Sequence, residues 1–134
     1  MVKIIDSCLW IDFLGVKTPP AVRELAARRL NDSAAALCEP VQFEVLRGCD
    51  PKMRDGVRKR MATMPLLHTP ADVWRVGLKL GEMCYDRRLI INSVDLIIAA
   101  LCLHHGATLV TFDKHFQSLA ECSDLKVEFL TRPA

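Results

Sequence analysis

The sequence predicts an α/β fold in which a parallel sheet lies between layers of helix. Short apolar runs alternate along the chain with longer stretches of helical spacing. No two of those runs are joined by a tight hairpin signal, so successive strands must connect through helices and run parallel. With 134 residues, half of them apolar and a quarter charged, the chain is most simply one domain, residues 1–134, with a substantial core.

Val2-Lys3-Ile4-Ile5 reads as the first strand and stops at Asp6. Ser7 can cap the helix that follows, where Leu9, Trp10, Phe13 and Leu14 fall at helical spacing before Gly15. Thr18-Pro19-Pro20 opens a second helix that runs to about Leu30. After the turn Asn31-Asp32-Ser33, Ala34 to Cys38 forms a second, small-residue strand. Glu39-Pro40 begins a helix with Val41, Val45 and Leu46 inward, ending at Gly48. Arg47 to Arg60 is the most basic segment and reads either as a solvated helix face or as a phosphate-binding rim. Pro65-Leu66-Leu67-His68 is a third strand, and Thr69-Pro70-Ala71-Asp72 starts a long helix. That helix places Val73, Trp74, Val76, Leu80 and Met83 inward and ends near Asp86-Arg87-Arg88.

Asn92 to Phe116 organises the rest. A polar start containing Asp95 leads into the apolar block Leu96 to Leu103, too short to span a membrane and suited to a buried helix. His104-His105-Gly106 closes it as a basic last turn and glycine stop. Ala107 to Thr111 is a strand ending at Asp113, His115-Phe116 starts a short turn or helix, and Leu125 to Leu130 alternates as the last strand. An acid at the start of this helix and another after the next strand can meet at one end of a sheet, where open α/β folds keep their ligands.

Composition narrows the function classes. The net charge of +2 leaves nucleic-acid affinity to local patches rather than the overall field. Met1-Val2-Lys3-Ile4-Ile5 meets Asp6 too early for the apolar centre of a signal peptide. The six cysteines form no C-x-x-C pair and mostly sit among apolar residues, as free thiols of a reducing cytoplasm would.

Three acids follow strand ends or open helices: Asp6, Asp95 and Asp113. Glu44, bordering the apolar face of its helix, can join them. Taken singly, Asp6 reads equally well as a helix cap, and Glu44 as a glutamate snorkelling at an edge. Taken together, crowded carboxylates repel one another unless a cation lies between them. Hard oxygen donors without a Cys/His pattern favour Mg²⁺ or Mn²⁺, the metals of two-ion phosphodiester hydrolysis. No Ser–His nucleophile pair and no Gly-rich phosphate loop competes.

Four stretches bear a resemblance. Ile5-Asp6-Ser7-Cys8-Leu9-Trp10-Ile11-Asp12-Phe13-Leu14 resembles the opening signature of PIN-domain ribonucleases, specifically the VapC-like toxins of bacterial toxin–antitoxin pairs. Val41-Gln42-Phe43-Glu44-Val45-Leu46-Arg47-Gly48 is similar to the second motif of that family, and Ser93-Val94-Asp95-Leu96-Ile97-Ile98-Ala99-Ala100 to the third. Leu109-Val110-Thr111-Phe112-Asp113-Lys114-His115-Phe116 is similar to the fourth. The motifs occur in the family's order across nearly the whole chain.

The resemblance implies a PIN-like three-layer sandwich and a divalent-metal-dependent endoribonuclease toxin that hydrolyses RNA with a metal-activated water. On that basis Asp6, Glu44, Asp95 and Asp113 are the catalytic and metal-binding acids for one or two Mg²⁺ or Mn²⁺ ions. Ser7 is a supporting contact beside the first acid, and Asn92, three residues before Asp95 on the same helical face, is a further source of a neutral oxygen. Where many relatives carry one more acid, two residues beyond the fourth, this chain has His115. Arg47, Arg87 and Arg88 are candidate RNA phosphate contacts. The implied partners are RNA, a VapB-like antitoxin and a second copy of the chain. Two alternatives share the fold: a non-catalytic PIN-like binding module, and a PIN nuclease of RNA maturation. A receiver-type phosphotransfer domain fits poorly, since the third strand ends Leu67-His68-Thr69 without the acid such a domain needs.

Overall fold

The computed structural model describes residues 1–134. Five parallel strands are ordered β3-β2-β1-β4-β5. They are β1 (Lys3–Ile5), β2 (Ala35–Cys38), β3 (Leu66–Leu67), β4 (Thr108–Thr111) and β5 (Lys126–Phe129). Seven helices connect or cover them: α1 (Ser7–Leu14), α2 (Pro20–Leu30), α3 (Glu39–Gly48), α4 (Arg54–Met61), α5 (Val73–Asp86), α6 (Ser93–His105) and α7 (Lys114–Glu121). The predicted α/β class and every predicted strand are present.

Strand order decides where a ligand can sit. From β1 the chain builds outward through β2 to β3, then returns to place β4 on the other flank of β1. The direction of winding therefore reverses between β1 and β4, and a crevice opens there at the carboxyl ends. Ile5 pairs with Val110, so Asp6 and Thr111 leave these strands side by side. The Asp6 N–H still donates to the Val110 carbonyl at 2.9 Å, which extends the ladder one residue into the site.

The two strands flanking that crevice have no polar face. Ile4, Ile5, Leu109 and Val110 are fully buried, and β2 is buried along its length. Such strands require helices on both sides. Leu9 and Trp10 of α1, Val41 and Val45 of α3, and Ile98 through Cys102 of α6 supply much of that cover. Five consecutive buried residues leave α6 almost no solvent face, as its apolar block predicted.

One expectation is corrected here. Trp74 does not point inward: it is 69% exposed. The inward positions of α5 are Val73, Gly77, Leu80 and Cys84, at i, i+4, i+7 and i+11, and Trp74 lies about 100° round the helix from that stripe. The segment after Asp113 takes the helical of its two expected forms, α7, held by the buried Phe116 and Leu119. The six cysteines are all free, and the basic Arg54–Met61 segment is a helix whose Arg58 pairs with Asp55 at 3.5 Å.

Close approach of α5 to α6 depends on Gly77. A Cβ at this position would stand 2.8 Å from Ile97 Cδ1. At Gly56 in α4 nothing lies within 4 Å of an added Cβ. Opposite effects follow in urea unfolding: Gly77→Leu should lose about 1–3 kcal/mol by overpacking, whereas Gly56→Ala should gain about 0.5–1 kcal/mol from helix propensity. Equal stability of Gly77→Leu and wild type would refute the close packing of the pair.

Candidate active site

Asp6 is the fixed point of the site. It is only 4% exposed, and its carboxylate is held by three donors. Oδ1 accepts the Ser7 N–H at 2.8 Å, and Oδ2 accepts the Thr111 hydroxyl at 2.7 Å and the Cys8 thiol at 3.4 Å. Asp6 is thus both the cap of α1 and the acid at the end of β1, the two roles its sequence position left open. Burial raises its pKa, and the charge of Asp113 adds to the rise. The hydrogen bonds from Thr111, Ser7 and Cys8 pull the other way. Burial pushes the Cys8 thiol up to about 12, with the Asp6 charge second, so Cys8 serves as a neutral donor.

Thr111 did not stand out in the sequence, yet it ties two acids together. Its hydroxyl donates to Asp6 and accepts the Asp113 N–H at 2.9 Å. A hydroxyl has one proton to give and lone pairs to receive, so both bonds form at once. Asp113 in turn caps α7 through the His115 N–H at 2.9 Å, and His115 Nδ1 lies 3.0 Å from the same carboxylate oxygen. His115 therefore contacts the fourth acid directly.

Glu44 comes to the site from α3. Its Oε1 accepts the Ser7 hydroxyl at 3.1 Å, so Ser7 serves Asp6 with its backbone and Glu44 with its side chain. Burial is the main cause of the raised Glu44 pKa; Ser7 opposes it and the Asp6 charge reinforces it. Asp95 opens α6. Asn92 is the cap of that helix, its Oδ1 accepting the Asp95 N–H at 2.9 Å, so Asn92 lies outside the helix rather than on its face. The Asp95 carboxyl is pushed up to about 7, first by burial, then by the charges of Asp6, Glu44 and Asp113, with Asn92 opposing. Asp95 thus feels all three of the other acids.

The acids lack compensating cations. None of the ion pairs within 4.0 Å involves Asp6, Glu44 or Asp95, and Asp113 has only His115. Partial positive charge comes instead from helix N-termini: Asp6 and Asp113 cap α1 and α7, and Asp95 sits in the first turn of α6. Hard oxygen donors, raised pKa values and no cationic side chain fit a divalent metal of the Mg²⁺ or Mn²⁺ type. Arg47, Arg87 and Arg88 are all exposed. Arg47 lies one turn beyond Glu44 on α3, while Arg87 and Arg88 end α5 just before the Asn92 cap, and Arg88 adopts a left-handed φ of 59°.

Without metal, these raised pKa values act against the fold as pH rises. A carboxyl whose folded pKa lies above its unfolded value near 4 favours the native state below that value. Its contribution is lost as pH climbs through the folded pKa. For Asp95 the window is about pH 4 to 7. In EDTA, wild-type thermal stability should therefore fall across this window. Asp95→Asn should flatten the decline and melt higher than wild type at pH 8. A variant that melts lower at pH 8, with an unchanged profile, would contradict the electrostatic description.

Comparison with known proteins agrees with this fold. The family model described as PIN domain matches residues 3–121. The VapC ribonuclease Mb1587 of Mycobacterium bovis is 27% identical over 135 residues, covering 92% of this chain and 95% of that protein. Ribonuclease VapC21 of Mycobacterium tuberculosis is 27% identical over 120 residues, covering 85% and 86%. Among solved structures, VapBC2 from Rickettsia felis, bound to a promoter DNA fragment, superposes with a TM-score of 0.73 at 18% identity, covering 97% of this chain and 99% of that one. Mycobacterium tuberculosis VapC20, described as a sarcin-ricin loop cleaving toxin, gives 0.67 at 15% identity, covering 98% and 99%. With its five-stranded parallel sheet and its acids gathered at the β1–β4 crevice, the chain belongs to the PIN domain family.

Proposed function

We propose that this protein is an endoribonuclease toxin that uses Mg²⁺ or Mn²⁺ to hydrolyse RNA phosphodiester bonds and is held inactive by a cognate VapB-like antitoxin. One observation carries the reading. Thr111 joins Asp6 to Asp113, Ser7 joins Asp6 to Glu44, Asp95 feels the charge of all three, and none of Asp6, Glu44 and Asp95 has a cationic side chain beside it. The PIN domain match, the relatives named as VapC ribonucleases and the neighbours solved as VapBC complexes support it.

Asp6, Asp95, Asp113 and Glu44 would hold the metal, one ion or two. When bound, the metal supplies Lewis-acid stabilisation of charge on the phosphate and makes water more acidic at neutral pH. The protein's own groups do the rest. Ser7, Thr111 and Asn92 fix the acids, so little reorganisation is needed as charge develops at phosphorus. Glu44 or Asp95 would also orient the attacking water. Water adds in line to phosphorus and the bond to the 3′ oxygen breaks, leaving a 3′-hydroxyl and a 5′-phosphate. The exposed Arg47, one turn from Glu44, and Arg87 and Arg88, shortly before the Asn92 cap, would contact backbone phosphates.

The partners follow from surfaces beside the site. An apolar groove lined by Phe43, Trp74, Val94 and Ile97 adjoins Glu44 and Asp95 in sequence and receives an apolar antitoxin segment. A basic antitoxin side chain would then reach the acids and displace the cation. The exposed Leu78 and Tyr85 of α5 offer a face for the homodimer. No helix is long and apolar enough to cross a membrane. The RNA substrate places the working protein in the cytoplasm.

Purified chain incubated with total RNA should give discrete fragments with Mg²⁺ or Mn²⁺ and none with EDTA. Asp95→Asn should cut at least about 10²-fold more slowly. Fragments should carry 5′-phosphates. A 2′,3′-cyclic phosphate would mean that the RNA 2′-hydroxyl attacked, overturning the mechanism. RNA binding without cleavage would favour the non-catalytic module, and cleavage confined to precursor RNA would favour a maturation nuclease.

A further inference from the structure

Three of the chain's four histidines meet at the far end of α6 from the acids. His104 and His105 form its last turn, and His68 follows β3. The ring centroids lie 4.7 Å apart for His68 and His105, 4.8 Å for His104 and His105, and 5.5 Å for His68 and His104. One ligand nitrogen from each ring lies within 4.8 Å of the other two. His105 is ten residues beyond Asp95 on one helix, a rise of about 15 Å, so the cluster is separate from the acidic site.

We propose that His68, His104 and His105 form a second metal site, selective for Zn²⁺ or a similar borderline ion such as Ni²⁺, that clips the segment after β3 to the end of α6. Imidazole nitrogen suits these ions, while the carboxylates at the other end of the helix suit Mg²⁺ and Mn²⁺, so ligand chemistry sorts the two sites. Three histidines with a fourth position left for water is an established tetrahedral donor set for zinc.

Local structure favours a cation here. His105 Nε2 lies 2.8 Å from the His68 backbone carbonyl. A carbonyl only accepts, so Nε2 carries the proton, and in the neutral ring Nδ1 holds the lone pair for a metal. Metal-binding histidines usually have the other ring nitrogen anchored in this way. The carboxyl end of α6 adds partial negative charge from its unsatisfied carbonyls. Zinc–nitrogen bonds of about 2.05 Å set tetrahedral nitrogens about 3.4 Å apart. The cluster therefore closes by up to about 1.4 Å on binding, a movement that turns of the exposed His68 and His104 rings supply.

The test uses full-length chain carrying Asp95→Asn, stripped with EDTA and titrated with ZnCl₂ by calorimetry, and by NMR of the histidine ring protons. The expected result is one Zn²⁺ per chain, with the His68, His104 and His105 signals moving together and His115 unmoved. His104→Ala and, separately, His68→Ala should each weaken binding by at least about tenfold with unchanged circular dichroism. Both positions are exposed, so folding survives the substitutions. Unchanged affinity in these variants, movement of His115 alone, or no zinc binding at all would overturn the proposal. None of these outcomes bears on the nuclease reading.

Discussion

The structure turns on one hydrogen bond, from the Thr111 hydroxyl to the buried carboxylate of Asp6. A carboxylate taken almost wholly out of water is costly unless donors replace its solvation. Here the replacement comes from the strand next door, because Ile5 pairs with Val110 and sets Asp6 beside Thr111. The same hydroxyl receives the Asp113 N–H, so the first and fourth acids are positioned through one oxygen atom. Sheet register, a matter of backbone pairing and apolar burial, thereby becomes the geometry of the site.

The other two acids reach the cluster by different routes. Glu44 is drawn in through the Ser7 hydroxyl, and Ser7 is placed by the turn from β1 into α1. Asp95 is carried by α6, which the burial of Ile98 through Cys102 locks into the core and whose first turn Asn92 caps. Three helix N-termini at the site offset part of the mutual repulsion of the acids. They do not remove it, as the raised pKa values of Asp6, Glu44 and Asp95 record. Acids gathered at this cost, with no basic side chain beside Asp6, Glu44 or Asp95, are what the proposed cation site requires.

Much of this was legible in the sequence because strand ends and helix starts are local features. Asp6 and Asp113 lie just after apolar strand runs, and Asp95 opens an apolar block that suits a buried helix. Thr111 was not legible, since a threonine in a strand reads as β propensity until the neighbouring strand is known. Asn92 does not share a helix face with Asp95, because residues at i and i+3 do so only if both are helical, and Asn92 is the cap. Trp74 was misread because a tryptophan beside Val73 looks like core. Only the packing of α6 against Gly77 shows which stripe of α5 faces inward. The histidine cluster depends on a meeting of His68 with His104 and His105 that no local pattern encodes.

The most direct test of a cation site made by the four acids is crystallographic. A crystal soaked in MnCl₂ and measured at a wavelength where manganese scatters anomalously locates the ion without reference to activity. An anomalous peak coordinated by carboxylate oxygens of Asp6 and Asp95, with Asp113 or Glu44 completing the shell, is the expected result. A map with no peak among these acids, from crystals that leave the β1–β4 crevice open to solvent, would contradict it.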